Sequence, residues 1–288
     1  MAARRKGSLL ERETIGTVVL VRLAVLPLLA LVGAQGLPAF TKLTSESATA
    51  FDRYVRAAES EMKRDATPDH FLQAARDPES RAKLRGGELR IEAATAPAGG
   101  AYSNIPGAML QDWLGSMFIP NANIAQVKAA LQDYADYPKF YRPEVIDSKV
   151  MAHHDDEYDI SLRLYEKHIL TVVLNSDYHV LYSMPDAHRM TVTSYSTRIA
   201  EVKNPKRSDA EEIPESEGFG FLWRLNAYWH FEEADGGVYA ECRSISLSRD
   251  VPLGLGWMLK GFLERFPKES MLNTLRGTKA AAETRARN

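Results

Sequence analysis

The sequence is poor in the residues from which several classes of functional site are built. Cys242 is the only cysteine among 288 residues, which excludes an intramolecular disulfide and a cysteine-based zinc site. No His-Glu-x-x-His motif occurs, and Gly254–Gly256 lacks the strand, turn and further glycine of a phosphate-binding loop. The formal net charge is only −2, and no basic stripe is interleaved with aromatics. These absences argue against a metal site, a cofactor and a nucleic-acid partner.

No apolar run is long enough for an ordinary membrane-spanning helix. The charge-free segment Leu23–Ala34 has about 12 residues, whereas a spanning helix needs about 20. Basic residues 4–6 precede it, and residues 32–34 resemble a small-residue cleavage site. We therefore expect residues 1–34 to be a secretory signal peptide, or else an uncleaved membrane anchor. The protein is expected to be exported, periplasmic or membrane-associated, with a buried segment of a cytoplasmic protein as the alternative.

Residues 35–100 are predicted to form an N-terminal helical region and a linker. The apolar spacing from Leu43 to Lys63 indicates an amphipathic helix, with Thr44 and Ser45 as candidate caps. A second helix is expected to stop at Gly86-Gly87 and to be followed by a short strand. The small-residue tract Ala96–Ala101 is a plausible linker, so we place a domain boundary at about residue 100.

The remaining chain, residues 101–286, alternates between polar turns and β-like runs. A strand at Met109–Pro120 and an Asn-capped helix come first, and only strands follow until the last helix, expected at Gly254–Ala282. The other strands are predicted at Ile146–His154, Tyr158–Tyr165, Ile169–Ser183, His188–Val202, Gly218–Phe231 and Val238–Arg249. This order predicts an α+β fold in which a curved antiparallel sheet wraps around a long C-terminal helix.

Alternation within the last two strands predicts which side chains share a face. Large aromatics such as Trp223 and Trp229 occupy odd positions, and small residues such as Ala240 occupy even positions of the partner strand. We expect Phe231 to pair with Val238, which would place Trp229 opposite Ala240. On the other face, Tyr228 would then lie opposite Glu241. Small residues on the inner surface would leave volume for the helix or for a ligand.

These segments resemble the helix-grip SRPBCC superfamily, which includes START lipid-transfer domains, polyketide cyclases and coenzyme-Q-binding proteins. The resemblance spans about residues 107–284. It rests on FIPNANIAQVKAALQDYADYPKFYRPEV, on WRLNAYWHFEE with GGVYAECRSISLSRDVP, and on the long last helix. It implies a helix-grip fold with a hydrophobic ligand between the sheet and the last helix. The superfamily has no shared catalytic motif to carry over.

The candidate ligand-binding residues are aromatics of the predicted inner face, two polar residues and two residues of the last helix. Apolar ligand sites commonly combine such a lining with a few oriented polar groups. Their alternative roles are plain core packing for the aromatics and outer-face pairing for the polar residues. The residues are Trp113, Tyr178, Tyr182, Trp223, Trp229, Arg198, Glu241, Met258 and Phe262.

We therefore expect noncovalent binding of a lipid or other hydrophobic small molecule, with transfer or sequestration in the cell envelope as its role. A cyclase or aromatase-like enzyme is the first alternative, with Arg198, Tyr228 or Glu241 handling protons. A structural interaction domain with a filled core is the second. The His153–Glu157 turn, the Glu232-Glu233 pair and Cys242 are interpreted as a solvated turn, an exposed hairpin tip and a packed thiol.

If residues 1–34 are a cleaved signal peptide, protein purified from its native host should begin at Gln35. Intact-mass spectrometry measures this directly. A mass that still includes residues 1–34 would contradict cleavage, and fractionation of the same cells would then distinguish a membrane anchor from a cytoplasmic protein.

Overall fold

The structure is a computed structural model that describes residues 42–67, 70–97, 105–167, 171–205, 210–214, 218, 220–250 and 256–287. For Lys167 and residues 256–267 only the backbone is described. The predicted signal segment therefore lies outside the described residues. Residues 41–288 form one compact unit.

The described chain contains five α-helices, one short 3-10 helix at Tyr134–Asp136 and nine strands. The helices are α1 (Ser45–Asp65), α2 (Pro78–Arg85), α3 (Ile124–Gln132), α4 (Tyr137–Phe140) and α5 (Gly256–Arg287). The strands are β1 (Arg90–Ala93), β2 (Ala108–Pro120), β3 (Val145–His154), β4 (Glu157–Lys167), β5 (Thr171–Asp186), β6 (Arg189–Lys203), β7 (Glu211–Glu212), β8 (Arg224–Ala234) and β9 (Gly237–Arg249). None of the described helices is long and apolar enough to cross a membrane.

The strands form a single antiparallel sheet that is curved and does not close. Its order is β1-β2-β9-β8-β6-β5-β4-β3, and the short β7 pairs with β6. The long α5 follows the last strand and packs on the sheet through β2. The predicted α+β helix-grip fold is confirmed.

Local capping signals explain where the helices begin. The hydroxyl of Thr44 accepts a hydrogen bond from the Ser47 amide at the start of α1. At α3, Asn123 and Gln126 form a reciprocal capping box. Both starts agree with the capping residues predicted from the sequence.

The predicted register between β8 and β9 was wrong by two residues. Phe231 lies opposite Ala240 rather than Val238, and Trp229 lies opposite Cys242. The hairpin closes through a two-residue turn in which Asp235 and Gly236 have φ of 55° and 76°, as a type I′ turn requires. A shift of two residues keeps the side chains within β8 and β9 on their predicted faces. Tyr228 is consequently opposite Arg243, and Glu241 is opposite His230.

Both faces of the sheet are covered. The inner face, which we define as the face that packs on α5, carries Met117, Tyr182, Trp229 and Cys242. The outer face carries Tyr228 and Ile245, and α1 covers it with an apolar stripe that includes Phe51 and Val55. The predicted domain boundary at residue 100 falls outside the described residues, but β1 on its N-terminal side is a strand of the same sheet.

A buried ion pair connects α1 to the outer face. Arg243 on β9 donates to Asp112 on β2, with Nη2 2.6 Å from Oδ2, and both side chains are almost fully buried. The Tyr54 hydroxyl of α1 donates to the same carboxylate over 2.7 Å. Glu59, one turn further along α1, accepts hydrogen bonds from Tyr195 and Tyr228. These polar contacts fix the position of α1 on the sheet.

Asp112→Ala should destabilise the fold by about 3 kcal/mol or more, because Arg243 would remain buried without its carboxylate. The free energy of unfolding from urea denaturation measures the loss. Glu79→Ala is the matched control, since it removes a carboxylate from the exposed Glu79–Lys83 pair and should leave stability unchanged. Equal effects of the two substitutions would contradict a structural role for the buried pair.

Candidate functional site

A row of small residues crosses the centre of the inner face. Ser244 on β9, Ala227 on β8 and Ser194 on β6 lie side by side in register. All three are half-buried, whereas the next row, with Cys242, Trp229 and Val192, is buried. We call Ser194, Ala227 and Ser244 the central row. Because protein interiors are normally close-packed, accessible surface in the middle of this face indicates that the described side chains of α5 do not fill the space over the row.

Four of the predicted lining aromatics lie on the inner face around the central row. Trp113 is opposite Ser244 at the β2 end of the row. Trp229 lies one row away and stacks on Phe231, with ring centroids 5.3 Å apart. Tyr178 is buried on β5, and burial raises the pKa of its phenol to about 12. The structure therefore brings Trp113, Tyr178, Tyr182 and Trp229 to the expected face, and their role in ligand binding stays a prediction.

Tyr182 belongs to a tyrosine cluster at one end of this face. Its hydroxyl is 2.8 Å from that of Tyr134 and donates to the Leu131 carbonyl at the end of α3. Tyr137 donates to the same carbonyl over 2.7 Å. These phenols are committed to closing α3 onto the sheet, which leaves Trp113, Tyr178 and Trp229 as the predicted aromatics beside the central row.

Trp223 does not share a face with Trp229, contrary to the predicted alternation. It is buried on the outer face, in the cluster that also contains Phe51 and Leu247. The reason is that β8 begins only at Arg224, after a bend in which Gly218 and Gly220 have positive φ, so the two-residue period does not extend back to Trp223.

The two predicted polar ligands also lie away from the central row. Arg198 is opposite Asp177 and forms ion pairs with Asp177 and Glu212. Glu241 is buried on the outer face, where it accepts a hydrogen bond from the Ala74 amide over 2.7 Å. Tyr228, named with them for the enzyme alternative, is on the outer face as well. These three residues thus have structural partners outside the inner face.

Met258 and Phe262 lie within the described backbone of α5, but their side chains lie outside the described residues. The following part of α5 is packed closely on the sheet. A Cβ added at Gly115 would lie 2.6 Å from the Met271 sulfur, and one added at Gly277 would lie 2.6 Å from the Tyr141 ring. Two glycines therefore permit the C-terminal part of α5 to approach β2 and α4.

Half-buried carboxyl groups mark another attachment point of α5. Glu144, just before β3, accepts hydrogen bonds from Asn273 over 3.0 Å and from Ser270 over 3.4 Å. Burial raises the pKa of Glu144 to about 7. Burial, together with the charges of Glu144 and Glu269, raises the pKa of Glu166 to about 8. Sequence analysis missed Glu144, Glu166 and Ser194, because only the strand pairing brings them beside α5 or into the central row.

The histidines of the His153–Glu157 turn and the thiol of Cys242 have the surroundings predicted for them. His153 and His154 are exposed, and the His153 Nε2 atom contacts the Asp155 carbonyl at 2.6 Å. Within the described ranges, no group of three or more histidine, cysteine or acidic side chains could hold a metal ion. Cys242 is buried, and burial raises the pKa of its thiol well above the ordinary value.

Comparisons with known proteins find similarity in backbone arrangement alone. No family model and no curated protein matches the chain. The Zhui aromatase/cyclase from a Streptomyces species is 9% identical with a TM-score of 0.44, over 62% of this chain and 96% of that one. A STAR-related lipid transfer protein from Xanthomonas axonopodis is 18% identical with a TM-score of 0.41, over 69% and 99%. Human STARD10 is 14% identical with a TM-score of 0.38, over 72% and 79%.

Glu144→Gln should reduce the dependence of stability on pH. Folding raises the pKa of this carboxyl from 4.5 to about 7, so the folded protein holds the proton more tightly than the unfolded chain does. The free energy of unfolding therefore falls as the pH rises from about 4.5 to about 7. The loss of unfolding free energy between about pH 5 and about pH 8 should be smaller in the variant by about 2 kcal/mol.

Urea denaturation at the two pH values measures this difference. Glu157→Gln, at an exposed position of β4, is the control and should retain the full pH dependence of the wild type. If the Glu144→Gln and wild-type curves remain parallel, the Glu144 carboxyl is not the protonated group.

Proposed function

We propose that this protein binds a lipid or other hydrophobic small molecule noncovalently between the inner face and α5. Exclusion of water from the ligand would drive binding, at about 25 cal/mol per Å² of buried apolar surface before ordering costs. Transfer or sequestration of the ligand in the cell envelope is the biological role that we infer from the export signal predicted at residues 1–34.

The half-buried central row is the observation that carries this proposal. Ser194, Ala227 and Ser244 are on central strands, where a filled core would bury them as fully as the neighbouring Trp229. Trp113 and Tyr178 provide flat apolar surface next to the row. A concave apolar surface with a few polar groups is the usual form of a small-molecule site.

The described side chains of α5 hold its C-terminal part on the sheet. The C-terminal part is held at Gly115 by Met271 and Leu275, and Glu144 holds the turn around Asn273. Displacing the C-terminal part to admit a ligand would break these contacts.

The three residues predicted to handle protons in an enzyme do not support that alternative. Arg198, Tyr228 and Glu241 have partners away from the central row. A structural interaction domain, the second alternative, would have an interior filled by its own side chains. Whether the interior is filled can be measured.

Ala227→Leu should fill the space beside Ser194 and Ser244. We expect the substitution to weaken binding of the neutral apolar dye Nile red by about tenfold or more, while the free energy of unfolding changes by less than about 0.5 kcal/mol. Fluorescence titration and urea denaturation measure the two quantities.

Ala152→Leu is the matched control, since it adds the same atoms at an exposed position of β3 and should leave dye binding unchanged. A destabilisation of about 1–3 kcal/mol by Ala227→Leu would indicate an interior that is already full. That result, or a wild-type protein that does not bind the dye, would contradict the proposed function.

A further inference from the structure

We propose that the ligand is uncharged where it meets the central row and presents a hydroxyl or carbonyl oxygen to the serines there. The inference rests on the proposed function and extends it to the chemical class of the ligand. It predicts discrimination between molecules with the same hydrocarbon chain and different end groups.

The first argument concerns hydroxyl groups without partners. Ser194, Ser244 and Ser246 are half-buried on the inner face, and their hydroxyls make no hydrogen bond within the part of the chain that the structure describes. Strand geometry places Ser246 about 7 Å from Ser244 along β9 and Ser194 about 10 Å away across β8. A pure hydrocarbon would desolvate these hydroxyls without compensation, whereas a ligand oxygen would restore a hydrogen bond.

The second argument concerns charge. The central row and the two rows beside it contain no acidic or basic side chain at the described positions of β2, β9, β8, β6 and β5. The acidic residues Glu233 and Glu201 lie towards the ends of β8 and β6, where they accept backbone hydrogen bonds from Ile124 and Phe221. A carboxylate or ammonium group brought to the row would thus find no counter-charge on these five strands, and burying it against them would cost far more than burying a hydroxyl.

One cation approaches the edge of this region. The Nζ atom of Lys268 lies 5.4 Å from the centre of the Trp113 ring, and the Lys268 side chain is exposed. Its position suits a cation–π contact at the rim. An anionic head group would have to remain near Lys268, away from Ser194. Substitutions at Lys268 and at Ser194 would therefore affect the binding of an anionic ligand and of an uncharged ligand differently.

The experiment is displacement of Nile red by dodecanol, dodecanoate and dodecylammonium at about pH 8, where the two ions are charged. Dodecanol should displace the dye at a concentration lower by about tenfold or more than either ion, because only the alcohol enters without an unpaired charge. Dodecanoate should compete better as the pH falls towards its own pKa.

Ser194→Lys provides the converse test. A lysine in the central row should improve dodecanoate binding by about tenfold, because it supplies the missing counter-charge. Ser183→Lys, at an exposed position of β5, is the control and should not change the preference. Circular dichroism establishes that each variant is folded, and the wild-type comparison stands if Ser194→Lys does not fold.

The possible outcomes separate this inference from the proposed function. Equal or stronger displacement by either ion would overturn the inference, and loss of the dodecanoate effect in Lys268→Met would then locate the anion at the rim. Displacement by none of the three, with Nile red still bound, would also overturn the inference. Failure of Nile red to bind at all would remove the proposed function itself.

Discussion

Burial of both faces of one sheet is the constraint on which the rest of the structure depends. An antiparallel sheet can leave one face to water, but here α5 covers the inner face and α1 covers the outer face. Each central strand must therefore supply two buried sets of side chains. The two faces meet this requirement with different kinds of side chain.

The outer face combines apolar packing with paired polar groups. Arg243, Asp112 and Tyr54 satisfy one another beneath α1, and Glu59 accepts from two tyrosines. His230 is enclosed beside Phe71, with ring centroids 5.2 Å apart, and burial lowers the pKa of the imidazole to about 4. This network gives the N-terminal helix one defined position, and it keeps Tyr228, His230 and Arg243 of β8 and β9 away from the inner face.

The centre of the inner face differs from the polar network of the outer face. Its aromatic residues are either committed to α3, as Tyr134 and Tyr182 are, or border the small residues of the central row. The described C-terminal part of α5 packs closely on the sheet and its neighbours, from Met271 to Ala282. A firmly attached helix end beside the half-buried central row would suit the proposed binding function, because a ligand could then be admitted without unfolding the sheet.

Much of the fold could be predicted from local patterns. Alternating side chains placed β5, β8 and β9, and Asn123 identified the start of α3, because both signals depend on neighbours in the chain. The hairpin register was missed by two residues because the tight Asp235-Gly236 turn was not recognised. Faces were nevertheless assigned correctly within β8, since an even shift preserves them.

Sequence by itself determined the strands, the helix caps and the presence of small residues opposite large aromatics. All of these depend on local patterns of residues along the chain. Only the tertiary structure decided that Trp223, Arg198 and Glu241 have partners away from the central row and that Ser194 joins it. The physical reason is that bends, bulges and strand pairing between residues far apart in the chain determine which side chains meet, and local periodicity does not encode them.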